Sequence, residues 1–361
     1  MNRRDALAGS FALAAAAHAA PVRAQSDPMK ALIAAAQAEG GVTIDAPPVD
    51  TARQFLTQAF QRAYGIPVTY IASTNSSSGA RVRAERAAGK YLLDVLVGGS
   101  DTPTVTYLPA GWLDRVEPIL IAPDVLDPSK WRDGHLWYED AAHTILRTLQ
   151  SVSPVLVVNT KFVRPAELST FKALLDPKWQ GKIIAKDPGV SGAGTSLIAM
   201  LYLQFGPDYV RRLYKDQKPI ISQDARQAMQ FLASGSYPIL MGPEPTEIVR
   251  FQQLGYPVAP VFPTDAPGIL TGSYGLISLV NKAPHPNTAK LFINWLAGRD
   301  AQGPFAEARI CASLRTDVKY QNLPAWVFPQ KGTKYLDTYD YAFVTRQRDE
   351  AMAKARALLG E

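Results

Sequence analysis

The stretch at residues 182–203, KIIAKDPGVSGAGTSLIAMLYL, limits what this chain can fold into more than any other. The apolar run Ile183-Ile184-Ala185 reads as a strand, which Asp187-Pro188-Gly189 stops. Ser191-Gly192-Ala193-Gly194-Thr195 then opens an apolar helix carrying Leu197, Ile198, Met200 and Leu201. A small-residue turn feeding a helix leaves several backbone N–H groups free at the positive end of the helix dipole. Such a turn can hold an anion or a polar ligand oxygen. The same glycines also suit a plain strand-to-helix turn capped by Ser191 or Thr195.

The strand–turn–helix frame recurs along the chain. A strand at 42–44 precedes a helix over 51–64, and a strand at 67–71 precedes the polar loop 73–79 and a helix over 80–89. A strand at 92–97 ends in Gly98-Gly99-Ser100-Asp101, which opens another helical segment. Residues 151–159 read as one β-branched strand beginning a second section. There the frame returns at 182–185, at 219–222 with a helix over 225–233, and at 237–242 with a helical segment holding Glu244. Strands at 258–262 and 276–280 follow, and helices over 288–297 and 341–359 close the chain. Successive strand–helix units make parallel sheets, which bind ligands at the C-terminal edge of their strands. The expectation is an α/β fold of two lobes. Loops 46–50, 73–79 and 98–101 then face loops 187–195 and 242–246 across a cleft. A length of 361 residues supports two such cores.

Residues 1–24 stand outside that frame. Arg3 and Arg4 give a positive start, 7–20 is an almost uncharged alanine-rich run, and Val22-Arg23-Ala24 fits a signal peptidase. An export signal cleaved near Ala24 is expected, and its paired arginines resemble the twin-arginine type. Its apolar run falls short of the roughly 20 residues that span a bilayer. Cys311 is the only cysteine, so no disulfide forms within the chain, and none near the cleavage site invites a lipid anchor. A scattered net charge of +6 gives no reason to expect nucleic acid as a partner. No G-x-S-x-G elbow, Walker loop or H-E-x-x-H is present, and no histidine or lysine is placed to activate Ser191, so an enzyme is not expected. His135, His143 and His285 lack metal-ligand spacing, and neither a metal nor another cofactor is expected.

Several separated blocks resemble one family. They are Ala84-Glu85 with Leu93-Asp94-Val95 and Gly98-Gly99, then LSTFKALLDPKWQGK at 168–182, and Asp187-Pro188 with Ser191-Gly192-Ala193-Gly194. Lys282-Ala283-Pro284-His285-Pro286, AKLFINWL at 289–296, Gln302 and Leu314-Arg315-Thr316-Asp317-Val318 complete them. Together they resemble the periplasmic solute-binding proteins of ABC importers, in the iron(III)-type or extracellular solute-binding family 1 group. The resemblance implies a type 2 periplasmic-binding fold with lobes joined by crossing strands. It implies lobe 1 at 25–150, lobe 2 at 151–271, and a return to lobe 1 with C-terminal helices at 272–361. It further implies a periplasmic monomer, not embedded in the membrane, that closes by a hinge around a small-molecule solute and presents it to ABC permease subunits. Ferric-binding members carry adjacent tyrosines in the second lobe. This chain has no such pair, and Tyr202, Tyr209 and Tyr214 are spread along expected helices. That departs from the ferric pattern, and two helix-start loops with little acidic lining point to a small anionic or zwitterionic organic solute, with ferric iron, or service to a sensor, as alternatives.

Within that frame the candidate ligand contacts are the hydroxyl-rich loop of Thr74, Asn75, Ser76 and Ser77, and the turn of Ser191, Gly192, Ala193, Gly194 and Thr195. Ser100 and Asp101 follow a strand end, where they contact ligand or cap the next helix. Ser273 and Tyr274 sit where the chain returns to the first lobe, and Glu244 either meets a cationic group or serves its helix start. Trp131, Trp137 and Tyr138 are core or cleft wall. Valine at Gly192 and Gly194 is expected to block ligand approach without unfolding the protein.

Overall fold

Proline at the first position and Gly40 at φ 79° just past the end bound the opening helix, α1 (Pro28–Glu39). The computed structural model describes residues 27–190 and 192–359, apart from the side chains of Asn75, Ser76 and Leu359. The expected signal and its cleavage site, and Ser191, lie outside the described residues. After α1 come β1 (Val42–Ala46), α2 (Asp50–Tyr64), β2 (Val68–Ala72), α3 (Asn75–Ala87) and β3 (Val95–Gly98). β1 pairs in parallel with both β2 and β3, as successive strand–helix units require. Shorter pieces follow: β4 (Leu113–Asp114), α4 (Pro123–Leu126), β5 (Trp137–Tyr138) and β6 (Leu146–Arg147).

The run 151–159 is two strands rather than one. Pro154 has no N–H to donate, so the ladder breaks there into β7 (Ser151–Ser153) and β8 (Leu156–Asn159). The second section then places β9 (Ile183–Lys186), α5 (Ala193–Arg211), β10 (Ile220–Ser222), α6 (Ala225–Ser234), β11 (Ile239–Met241), α7 (Pro245–Gln253) and β12 (Val258–Val261). They form a five-stranded sheet in the order β10-β9-β11-β8-β12, with β9 parallel to both its neighbours. β13 (Gly268–Thr271) pairs with β7, outside both larger sheets. β14 (Leu276–Val280) then crosses back and runs antiparallel to β3 inside the seven-stranded first sheet. α8 (Pro286–Ala297), α9 (Arg299–Ala308), β15 (Tyr335–Asp337) and α10 (Arg348–Leu359) complete the chain. The crossings at β6–β7 and β13–β14 join the two units.

Each unit has its own core. Leu56, Phe60, Phe292 and Phe305 are buried around the first sheet, and Phe171, Leu197, Ile198 and Leu213 beside the second. The C-terminal helices divide between the two units. α8 and α9 bury their apolar faces in the first core, whereas α10 lies on α5, with Ala351, Met352 and Ala355 buried in the second. Burying a large apolar side chain is worth roughly 1.5–3 kcal/mol, enough to fix where a terminal helix docks. Trp131 is buried in the first core, with Trp137 and Tyr138 packed against it, so this cluster is core and not cleft wall. The His285 backbone N–H donates to the buried carboxylate of Asp94 at 2.7 Å, and the ring Nδ1–H donates to the same carboxylate at 2.9 Å, bonds that anchor its loop.

Candidate functional site

A cavity of about 770 Å³, its open mouth included, lies between the two units. Four chain segments meet there, each at the C-terminal end of a strand or at the crossing. The loop after β3 brings Ser100 and Asp101, and the start of α5 brings Gly192 and Ala193. The loop after β11 brings Glu244, and the β13–β14 return brings Ser273 and Tyr274. The sheet-edge rule thus collects seven residues that are scattered over the sequence.

The remaining candidates sit elsewhere. Thr74 and Ser77 are exposed and do not line this cavity. They form a reciprocal cap on α3: Ser77 N donates to Thr74 Oγ1 at 3.4 Å, and Thr74 N donates to Ser77 Oγ at 3.0 Å. Asn75 and Ser76 occupy the first turn of the same helix. Thr195 is buried and donates to the carbonyls of Val190 and Pro188, so its hydroxyl ties the turn together. Gly194 serves the same turn. A Cβ there would stand 2.5 Å from Asp187 O and 2.7 Å from Lys186 O, so only glycine lets the helix start so close to the strand end. Valine at 194 would disrupt the turn itself, contrary to the expectation that it would leave the fold intact. Gly192 is different: it has φ 143° and open space around it, and as the N-cap of α5 it offers no side chain to the helix N–H groups.

The residue that sequence reading missed is Arg309. It ends α9, is completely buried, and lines the cavity. Nε donates to Ser273 O at 3.1 Å, Nη2 donates to Glu244 Oε1 at 3.3 Å, and the guanidinium lies over the Tyr274 ring, 5.1 Å from its centroid. Nη1 is buried with no hydrogen-bond partner. A buried guanidinium N–H without an acceptor is costly and invites one. Nothing in the local run Ala308-Arg309-Ile310-Cys311 signals this role, because its partners lie 36 and 65 residues away.

Glu244 precedes α7, yet its side chain makes no cap bond to that helix and turns to Arg309 instead. Ser273 and Tyr274 both have positive φ, 43° and 66°. Two successive non-glycine residues in the left-handed region cost of order 1–3 kcal/mol each, strain of the kind that surrounding contacts must hold in place. Here Tyr274 N donates to Tyr339 Oη at 3.0 Å, and Ser273 Oγ donates to Arg309 O at 3.3 Å. Burial pushes the Tyr274 hydroxyl up to about 12, with the Glu244 carboxylate adding to the effect and Arg309 opposing it. Asp101 makes no side-chain cap bond to the helical segment that follows it, and it forms an ion pair with Arg348 of α10. Among the described residues, no group of three or more His, Cys, Asp or Glu could hold a metal ion, and no helix is long and apolar enough to cross a membrane.

Residues 45–303 match the family described as bacterial extracellular solute-binding protein. The chain belongs to that family. The resemblance read from the sequence blocks therefore holds. This solute-binding protein is 29% identical over 171 residues to iron uptake protein A2 of Synechocystis sp. (strain ATCC 27184 / PCC 6803 / Kazusa). That match covers 42% of this chain and 48% of the relative, so the chain spans about half the length of the curated relative it matches. Among solved structures, the periplasmic binding protein AfuA of Actinobacillus pleuropneumoniae with fructose-6-phosphate bound superposes at a TM-score of 0.69. The two are 18% identical, and the match covers 89% of this chain and 99% of that one. The apo ferric ion-binding protein A of Pasteurella haemolytica also gives 0.69, at 16% identity over 89% of this chain and 98% of that one. Trichodesmium IdiA (FutA), with iron and citrate, gives 0.65 at 19% identity, covering 88% and 99%. These likenesses establish the fold: α/β, two-lobed, of the type 2 periplasmic-binding class.

Proposed function

We propose that this protein is the periplasmic solute-binding component of an ABC importer, and that it captures a small anionic or zwitterionic organic solute between its lobes. The single observation that carries the ligand reading is the buried, unpartnered Nη1 of Arg309 on the cavity wall. An anionic oxygen entering the cavity satisfies that donor with a charge-assisted bond. Ser100, Asp101, Gly192, Ala193, Glu244, Ser273 and Tyr274 are the proposed further contacts. They come from both sheets, so a bound solute stabilises the closed arrangement over the open one, a shift of a few kcal/mol. The family and its named relatives are binding proteins, which supports capture rather than catalysis. An export signal at 1–24 and permease subunits as docking partners belong to the same reading.

Ferric iron is the second reading, favoured by the descriptions of three relatives and by the oxygen donors Tyr274, Tyr339, Glu244 and Asp101 that line the cavity. Against it, both carboxylates are already paired with arginines and burial holds the Tyr274 proton in place. A thermal-shift screen of phosphonates, sugar phosphates, carboxylates, amino acids, polyamines and ferric citrate tests both. An organic anion or zwitterion that raises the melting temperature, with the rise lost in Arg309→Lys, supports the proposal. Ferric binding with a tyrosinate-to-iron absorption band, unaffected by Arg309→Lys, replaces it.

A further inference from the structure

We infer that the solute carries a positive and a negative group a few bonds apart, as an amino acid or betaine does, with its anionic end on Arg309 and its cationic end on Glu244. The inference rests on the cavity being the solute site and narrows what it accepts. Three observations carry it. First, Arg309 is completely buried, three of its contacts fix the guanidinium plane, and Nη1 remains without an acceptor. Second, Glu244 is only partly covered, and the two hydrogen bonds it receives, from Arg309 Nη2 at 3.3 Å and Thr246 Oγ1 at 3.4 Å, both end on Oε1. Its Oε2 is the acceptor that a cationic donor would take. The unused donor and the unused acceptor thus belong to two side chains that already touch, so one small molecule can meet both.

Third, the charges around the cavity cancel in pairs. Arg309 faces Glu244, and the other acid on the wall, Asp101, faces Arg348, with both side chains of that pair nearly buried. A cavity walled by protein penalises net charge more than bulk water does. A dianionic phosphate ester would set two uncompensated charges beside Glu244, and a bare cation would leave Nη1 unsatisfied. A zwitterion adds no net charge and satisfies both groups. The glycine-capped start of α5 and the Tyr274 hydroxyl complete the wall with neutral dipoles.

The test is a calorimetric titration of the protein with three sets of probes. They are the standard amino acids with glycine betaine, then lactate and succinate, then glycerol 3-phosphate and glucose 6-phosphate. Wild type, Glu244→Gln and Arg309→Lys are compared after melting curves confirm that each is folded. The expected result is tightest binding by a member of the first set, weakened roughly 10- to 100-fold in Glu244→Gln, the scale of one lost charged hydrogen bond. Tightest binding by a phosphate or a dicarboxylate, or an unchanged zwitterion affinity in Glu244→Gln, overturns the inference but leaves the solute site standing if Arg309→Lys still weakens binding. Binding that is indifferent to both variants, or no binding by any probe, overturns the site as well. Glu244 is partly exposed, so its variant keeps the test decisive if Arg309→Lys fails to fold.

Discussion

Arg348, at the first position of α10, forms an ion pair with Asp101 in the loop after β3. The helix that carries the arginine is sunk into the second core, while the aspartate lines the cavity from the first unit. The last helix therefore ties one unit's cavity loop to the other unit. Arg348→Ala removes the cationic partner of a nearly buried carboxylate, a destabilising change of up to roughly 3–5 kcal/mol where a buried pair is broken from one side. The expected outcomes are a lower melting temperature and a larger radius of gyration in small-angle scattering of the solute-free protein. A variant that scatters and melts like wild type would show that the pair ties nothing.

The two glycines at the start of α5 are expected to respond differently. Gly194→Ala drives a Cβ into two backbone oxygens and is expected to cost roughly 1–3 kcal/mol or more in urea unfolding. Gly192→Ala meets no atoms but must keep φ 143°, so its cost is the backbone strain alone, of order 1–3 kcal/mol. Equal solute affinity in a folded Gly192→Ala variant would remove the α5 start from the proposed contacts.

Glu139 supplies a pH signature at the crossing between units. It lies 3.3 Å from the buried guanidinium of Arg147, which also pairs with Asp337. Burial pushes its carboxyl from 4.5 up to about 7, with Arg147 opposing and Asp337 adding to the shift. Across that window the unfolded chain releases a proton that the folded protein keeps, so stability is fully present below 4.5 and is lost as pH rises through 7. The loss is on the order of 3 kcal/mol. Glu139→Gln is expected to flatten it, so the melting-temperature difference between about pH 4 and about pH 8 shrinks relative to wild type. An unaltered pH profile would place the titration elsewhere.

Cys311 is expected to resist thiol reagents in the folded protein. It is completely buried, burial pushes its thiol up to about 11, and Ser151 Oγ lies 2.9 Å from Sγ. Labelling by a disulfide reagent should follow the rate of unfolding in denaturant. Fast labelling of native protein would contradict the packing around Ser151.

The sequence by itself determined the architecture and the loops that matter. Alternating strands and helices around 42–98 and 182–253 dictated parallel pairing, and parallel pairing brings strand C-termini to one edge. Ser100, Asp101, Gly192, Ala193 and Glu244 could therefore be placed together without any coordinates. Only the tertiary structure decided which side chains use that edge. Thr74 and Ser77 spend their hydroxyls on a cap, a local competition that the sequence leaves open. Arg309 reaches the cavity wall beside Glu244 because a helix end from one unit meets a strand end from the other. α10 went to the second core because α5 offers it an apolar face. Periodicity reports which face of an element is apolar, and a contact between residues 65 apart depends on how two such faces pack.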